Sequence, residues 1–546
     1  LNLEAKDITM QNSENKKNVL IMAAGDVRDK FHYLKSNSPS PALIPVHTIP
    51  LISYVLNIYS NNEDLNLHLI TEKEYVDHIK SELNLEKLNI NICSIDRSNG
   101  VVSSIKEAIK QVSYAKETII HPVTTILLSQ PQCNEVYIAD EQSNNTYWSN
   151  IIFSETGKVE FCRKKTKTDK NGYAFTGVFC CQTKDLLQAL KETSITNDLL
   201  AVIENLSKTA PLNYKKIDWL DCGHEINYYE LKTKVIASRF FNNLKIVGNG
   251  IVRKSSSDIK KMKAEKLYIS MLPPALKSYF PRLQDNNIDT SGYYDMEYYG
   301  YPNISELMLY WGLEQTHWQR IFKGFKTILA DFYSYKHSIG IASYTDFYVE
   351  KLKTRISLFE KQHPANKEFI DNELTVNDLK CKSIKQLLPK IEKKLNSLYN
   401  EDDFCIMHGD FCFNNILFDL QTGIMRLIDP RGDFGERCSG VYGDFKYDLA
   451  KLAHSSMGCY DYIVNNIFKL EEEKQYFSYK FNMRDNQDIL DGETVKLINY
   501  FEYKYEDIVF LMGLLFITMC PLHSNSEEKQ KTMFLHGIKI MNEVLL

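Results

Sequence analysis

At 546 residues the chain exceeds one ordinary domain, so two or three domains with sizeable cores are expected. A formal net charge of -5 argues against a general electrostatic grip on nucleic acid; the basic run Arg163-Lys164-Lys165-Thr166-Lys167 reads as a solvated loop or a local phosphate contact. The polar segment 1–17 has no apolar signal region, and the run Ile508–Leu522 is broken by Pro521 and shorter than the ~20 residues of a membrane crossing, so a cytoplasmic chain without membrane insertion is expected. Twelve cysteines without a C-x-x-C pair read as reduced thiols rather than as a zinc site or disulfide framework.

After the polar extension, Asn18–Ala24 is an apolar run with buried-strand character that ends in Gly25-Asp26-Val27-Arg28. Ala42–Val46 then leads through a turn to an apolar helix over Ile49–Leu56. Strand-like Leu67–Ile70 and Leu88–Cys93 alternate with helix-like Lys73–Leu83 and Val101–Val112, a rhythm that predicts a doubly wound α/β domain over 18–238. Gly172–Cys181 reads as a further strand, and Trp219-Leu220-Asp221-Cys222-Gly223 follows it.

A strand, an A-A-G turn with a nearby Arg, a P-L-I segment and the Trp219-x-Asp221 element together resemble the sugar-phosphate nucleotidyltransferases. The resemblance implies a nucleotide or sugar-phosphate pocket formed by Gly25 and Arg28, with Asp221 as its metal ligand. This sequence departs from that family in its shortened glycine loop, in the missing Lys before Ala42, and in Pro122-Val123-Thr124-Thr125 where a metal-binding Asp would stand. An active domain and an inactive scaffold both remain open for this half.

The second half, 239–546, divides into a small lobe over about 239–303 and a large helical lobe over about 304–546. Leu244–Val247 and Ile251–Lys254 form a hairpin at Gly248-Asn249-Gly250, followed by a helix over Ser257–Met271 that Ser257 or Asp258 caps and Pro273-Pro274 ends. Lys254 on the strand and Glu265 on the helix fit a nucleotide-phosphate Lys and the Glu that orients it. Tyr293–Tyr299 reads as a strand, and Leu307–Tyr335, Phe347–Phe359 and Ile384–Leu398 carry helical periodicity, with Lys351, Lys353 and Arg355 expected to face solvent and a substrate-contacting role as the lesser alternative.

The chemistry concentrates in His408-Gly409-Asp410-x-x-x-x-Asn415 and, beyond a hairpin turning at Gln421-Thr422-Gly423, in Ile428-Asp429-Pro430. Phosphoryl transfer needs a carboxylate beside the attacking hydroxyl and oxygen ligands that hold Mg²⁺ against the nucleotide phosphates. Asp410 fits the first role, Asn415 and Asp429 the second. Arg431, two residues on, can meet an anionic substrate or pair with a carboxylate, and Asp444 or Asp448 should cap the helix that begins there.

The Gly before Asp410 and the Ile-Asp-Pro ending resemble the aminoglycoside phosphotransferase and choline kinase family, which implies a protein-kinase-like fold, ATP with Mg²⁺, and a small-molecule hydroxyl acceptor. The pairing of the two halves resembles bacterial capsule and surface-polysaccharide biosynthesis proteins, which implies a sugar, polyol or amino alcohol. A fused kinase and nucleotidyltransferase making an NDP-activated building block, and a catalytically silent nucleotide-binding scaffold, are the alternatives.

Overall fold

The computed structural model describes residues 16–25, 40–60, 62, 64–83, 88–97, 99–127, 129–139, 148–154, 157–163, 172–195, 197–223, 227–228, 231–232, 242–248, 250–284, 292–432 and 440–546. The chain divides into two compact units, Leu1–Val235 and Ile236–Leu546.

The first unit is mixed α/β. Besides the short pair Pro45–Val46 and Ile49–Pro50, its strands among the described residues are β1 (Lys17–Met22), β2 (Leu65–Glu72), β3 (Ile90–Ile95), β4 (Glu117–Pro122), β5 (Thr125–Leu127), β6 (Glu135–Ala139), β7 (Asn150–Phe153), β8 (Val159–Cys162), β9 (Tyr173–Gln182), β10 (Asn213–Lys216) and β11 (Trp219–Asp221). Nine of them form one sheet in the order β8-β7-β9-β4-β1-β2-β3, with β6 beside β9 and β10 beside β6; β5 and β11 pair separately. β1, β2, β3 and β4 run parallel, with Val19 opposite both Leu67 and Ile119.

The apolar run of β1 is continuous because both its faces are covered. Leu20 and Met22 pack in a cluster with Val102 and Ile105 of helix α2 (Val101–Ala108), whereas Val19 and Ile21 pack with Ile52 and Val55 of α1 (Leu51–Tyr59). β2 and β3 lie on one side of β1 and β4 on the other, so the strand order reverses between β1 and β4, where such sheets open a crevice at their carboxyl ends.

The second unit is mostly helical. It opens with a three-stranded antiparallel sheet, β12 (Asn242–Gly248), β13 (Ile251–Ser256) and β14 (Tyr293–Glu297), and helix α3 (Ile259–Met271) follows β13. Asp258, rather than Ser257, caps α3 by accepting the Lys261 N–H at 3.0 Å. The expected helix over Leu307–Tyr335 is broken: a short helix ends at Tyr310, Trp311 turns extended ahead of Gly312, and α4 (Gln315–Tyr333) starts afresh.

Farther on come α5 (Lys351–Gln362), strand β15 (Phe404–Ile406), the hairpin β16 (Ile416–Phe418) and β17 (Met425–Leu427), strand β18 (Tyr442–Asp444), α6 (Phe445–Ser456), α7 (Tyr505–Met519) and α8 (Glu527–Leu545). The hairpin turns where the sequence places it, with Gly423 at φ 78°. Tyr505–His523 is long and apolar enough to cross a membrane by length and composition, and 67% of it is buried inside the protein. α7 and α8 meet at glycines: a Cβ on Gly513 would stand 2.8 Å from Ile540, and one on Gly537 2.8 Å from Ile517.

Candidate active site

In the second unit, β13 alternates exposure so that Val252 and Lys254 face inward. Lys254 is 1% exposed, and its Nζ lies 2.6 Å from Glu265 Oε2 on α3 and 2.8 Å from Asp429 Oδ1 just beyond β17. Burial alone would pull this ammonium down, but Asp429, the Tyr294 ring and Glu265 outweigh it and hold Lys254 above its ordinary value. Glu265 shifts upward, because burial and the nearby Asp429 charge oppose the pull of Lys254; the Tyr294 hydroxyl donates to its Oε2 at 2.9 Å. Two carboxylates, Glu265 and Asp429, share this one ammonium.

Asp410 sits on a loop that the protein clamps from several sides. The N–H groups of His408 and Gly409 donate to the Asp448 carboxylate at 2.6 and 2.8 Å, and Tyr268 OH donates to Met407 O at 2.8 Å. Asn415 Nδ2 donates to Asp410 Oδ2 at 2.8 Å, and Lys451 Nζ lies 2.8 Å from Asp410 Oδ1. Burial pulls Lys451 down, but Asp410 holds it above its ordinary value. Burial pushes His408 down to about 4, so its imidazole is neutral and Nδ1 accepts the Asp410 N–H at 3.2 Å.

The hairpin returns Asp429 to this loop: Ile428 N–H donates to Asn415 O at 3.0 Å, and Arg431 N–H to His408 O at 2.9 Å. Asp429 has φ 55°, an uncommon value for a residue with a side chain. Gly432 is required by close approach, since a Cβ there would lie 2.1 Å from the Ala264 carbonyl oxygen, next to Glu265. The carboxylate and amide oxygens of Asp429 and Asn415 are hard donors of the kind Mg²⁺ takes.

Several of these partners escape the sequence reading. Asp444 is the cap of α6, accepting the Lys446 N–H at 3.1 Å, while Asp448 clamps the loop instead. The spacing Asp448-x-x-Lys451 puts both on one face of α6 and is the signal that could have found them. Lys353 does face solvent, with Glu350 and Glu392 as partners, but Lys351 and Arg355 are half-buried. Phe347, Lys351 and Arg355 recur at intervals of four and turn toward the protein together. Lys351 Nζ is 3.1 Å from Tyr447 OH, and both Lys351 and Arg431 stand over the Phe347 ring, at 4.6 and 5.4 Å.

In the first unit, Asp221 on β11 pairs with Thr125, and Cys222 N–H donates to Thr124 O at 2.7 Å. Val123 N–H donates to Met22 O at 3.0 Å, so Asp221 lies near the carboxyl ends of β1 and β4, where Gly25 follows β1 at φ 110°. Its carboxylate already accepts from Trp148 Nε1 at 3.0 Å, Asn227 Nδ2 at 2.7 Å and Gly223 N at 2.9 Å. Trp148 and Asn227 had no signal in the sequence. Arg28 lies outside the described residues, as do 164–167 of the basic run; Arg163 pairs with Asp198 and Glu204. Glu117, Cys133 and Cys180 bring ligand atoms within 4.8 Å of one another from separate strands and a turn, and Lys17 Nζ lies 2.7 Å from Glu117 Oε2.

No protein-family model and no curated protein matches the sequence. Among solved structures, the chain is similar to a protein assigned as a glucose-1-phosphate thymidylyltransferase from Bacillus anthracis, in complex with sucrose, at 16% identity and a TM-score of 0.35 over 41% of this chain and 98% of that one. It is similar to the inositol-1-phosphate CTP transferase from T. maritima at 14% identity and a TM-score of 0.34, over 41% and 99% of the two chains. A UDP-glucose pyrophosphorylase complexed with UDP-glucose gives 14% identity and 0.34, over 40% and 97%.

Proposed function

We propose that the second unit is an ATP- and Mg²⁺-dependent phosphotransferase acting on a hydroxyl of a small molecule. The observation that carries this reading is Lys254, buried between Glu265 and Asp429, three residues that three separate elements deliver to one point. Lys254 would bind nucleotide phosphate, with Glu265 fixing its direction. Asp429 and Asn415 would hold Mg²⁺, which when bound draws negative charge off the phosphoryl group in transfer. Asp410 would accept or orient the acceptor's hydroxyl proton, and Lys451 and Asn415 keep its carboxylate in place. The acceptor falls, on the family resemblance, among building blocks of surface polysaccharides.

A calorimetric titration with Mg-ATP tests the reading. Binding should be lost or weakened at least ~10-fold in Asp429→Ala and Lys254→Met, since each removes a charge that faces the phosphates. Parent-like binding in both variants would sink it.

A second reading, in which the first unit transfers a nucleotidyl group to the phosphorylated product, is favoured by Asp221, which stands near the carboxyl ends of β1 and β4. Its carboxylate would have to exchange at least one of its three present donors for a metal.

A further inference from the structure

Two cations stand at the Asp410 loop and two more at the start of α5. Lys451 is ion-paired with Asp410, and Arg431 is tied by its own N–H to the His408 carbonyl of the same loop. Lys351 and Arg355 stand one turn apart at the start of α5, and Lys351 shares the Phe347 ring with Arg431. Among the described residues neither Lys351 nor Arg355 has a carboxylate within ion-pair distance, and the polar partner of Lys351 is the Tyr447 hydroxyl. These cations feel one another. Burial first, then Arg431, Lys451 and Arg355, pull Lys351 well below its ordinary value, with Asp410 opposing. Arg355 is lowered likewise, by burial and then by Arg431.

Like charges held together cost folding free energy, and an anion bound among them relieves that cost. The chain also enters α5 through a π-helical turn, Asp346–Glu350, which carries Phe347; such turns occur often at functional sites. Lys351 reaches a small cavity that is otherwise lined by Phe347, Tyr348, Tyr447 and Thr518 with Leu511, Leu514 and Leu515 of α7.

We infer that the acceptor of the proposed phosphotransferase carries a phosphomonoester of its own, held by Lys351, Arg355 and Arg431 beside Asp410. The inference rests on the phosphotransferase reading for the word acceptor, though not for the anion site. Arginine forks and a lysine match a phosphate dianion, while a cationic amino alcohol would meet repulsion from the same groups. The substrate class thereby narrows to phosphorylated sugars or polyols.

The test is a calorimetric titration of the full chain, saturated with Mg-ADP, with sn-glycerol 3-phosphate, glycerate, glycerol and choline. Glycerol 3-phosphate should bind, glycerate more weakly, and glycerol and choline not measurably. Lys351→Met and Arg355→Gln should each weaken glycerol 3-phosphate by about 10- to 100-fold, and Lys351→Arg should restore most of it. A melt followed by circular dichroism checks that each variant is folded. Unchanged affinity in both folded variants, choline binding as tightly as glycerol 3-phosphate, or glycerate binding equally well would overturn the proposal. A repeat on Lys254→Met without nucleotide separates the two readings. Binding that persists there and vanishes when Arg355→Gln is added upholds the anion site even where Mg-ATP fails to bind.

Discussion

An ammonium taken out of water is held charged most firmly by carboxylates, and Lys254 has two of them. The strand-then-helix order made Lys254 and Glu265 legible, because they stand where the phosphoryl-transfer pattern sets a phosphate-binding Lys and the Glu that orients it. The roles of Asp448 and Lys451 were hidden: Asp448 stands where a cap would, and only the folded loop shows that it accepts two N–H groups instead. His408 gives this scale its pH test. Burial lowers its folded value to about 4, against an ordinary 6.5, so between these pH values the unfolded chain takes up a proton that the folded one refuses. Stability from this group is therefore complete above pH 6.5 and falls as the pH drops toward 4, by up to about 3 kcal/mol. Urea unfolding from pH 7.5 to 4.5 should show a shallower decline in His408→Asn than in the parent; equal slopes would mean that His408 titrates freely in the folded protein.

At the scale of elements, the candidate site exists because α3, the loop carrying Asp410 and the hairpin β16–β17 meet without space to spare. Gly432 passes Ala264 so closely that a methyl group would push α3, and Glu265 with it, away from Lys254. Gly432→Ala should lower stability by ~1–3 kcal/mol, the usual cost of overpacking, and weaken Mg-ATP binding as well. Thermal melts and the calorimetric titration read the two effects; an unchanged melt with parent affinity would show that α3 can move aside freely. The sequence located the hairpin and α3 because turn glycines, an Asp cap and a proline stop mark their ends. It misjudged Leu307–Tyr335, where apolar periodicity runs through a break at Trp311 and Gly312. It also misjudged Lys351 and Arg355, whose charge suggested solvent although their spacing from Phe347 set them on the inward face.

At the scale of the whole molecule, two units carry two separate sets of candidate groups, and the parallel strands of the first were legible from the alternation of apolar runs and helices. What was not legible there is how Asp221 is held: Trp148 and Asn227 come from distant or irregular segments, and no local pattern predicts a hydrogen bond between them and a strand end. If the two sets act independently, Asp221→Ala should leave ADP release within about two-fold of the parent, because sites that share no partners contribute additively. Any pyrophosphate released from a nucleoside triphosphate should disappear in that variant, and a loss of ADP release would instead tie Asp221 to the proposed phosphoryl transfer. The most direct measurement concerns Asp410. Asp410→Asn keeps the side chain's shape and removes its charge, so it should spare Mg-ATP affinity while cutting the rate of ADP release on a phosphorylated acceptor by ~10²–10⁴. Phosphorylation within a few-fold of the parent in that variant would show that Asp410 is structural and contradict the phosphotransferase mechanism.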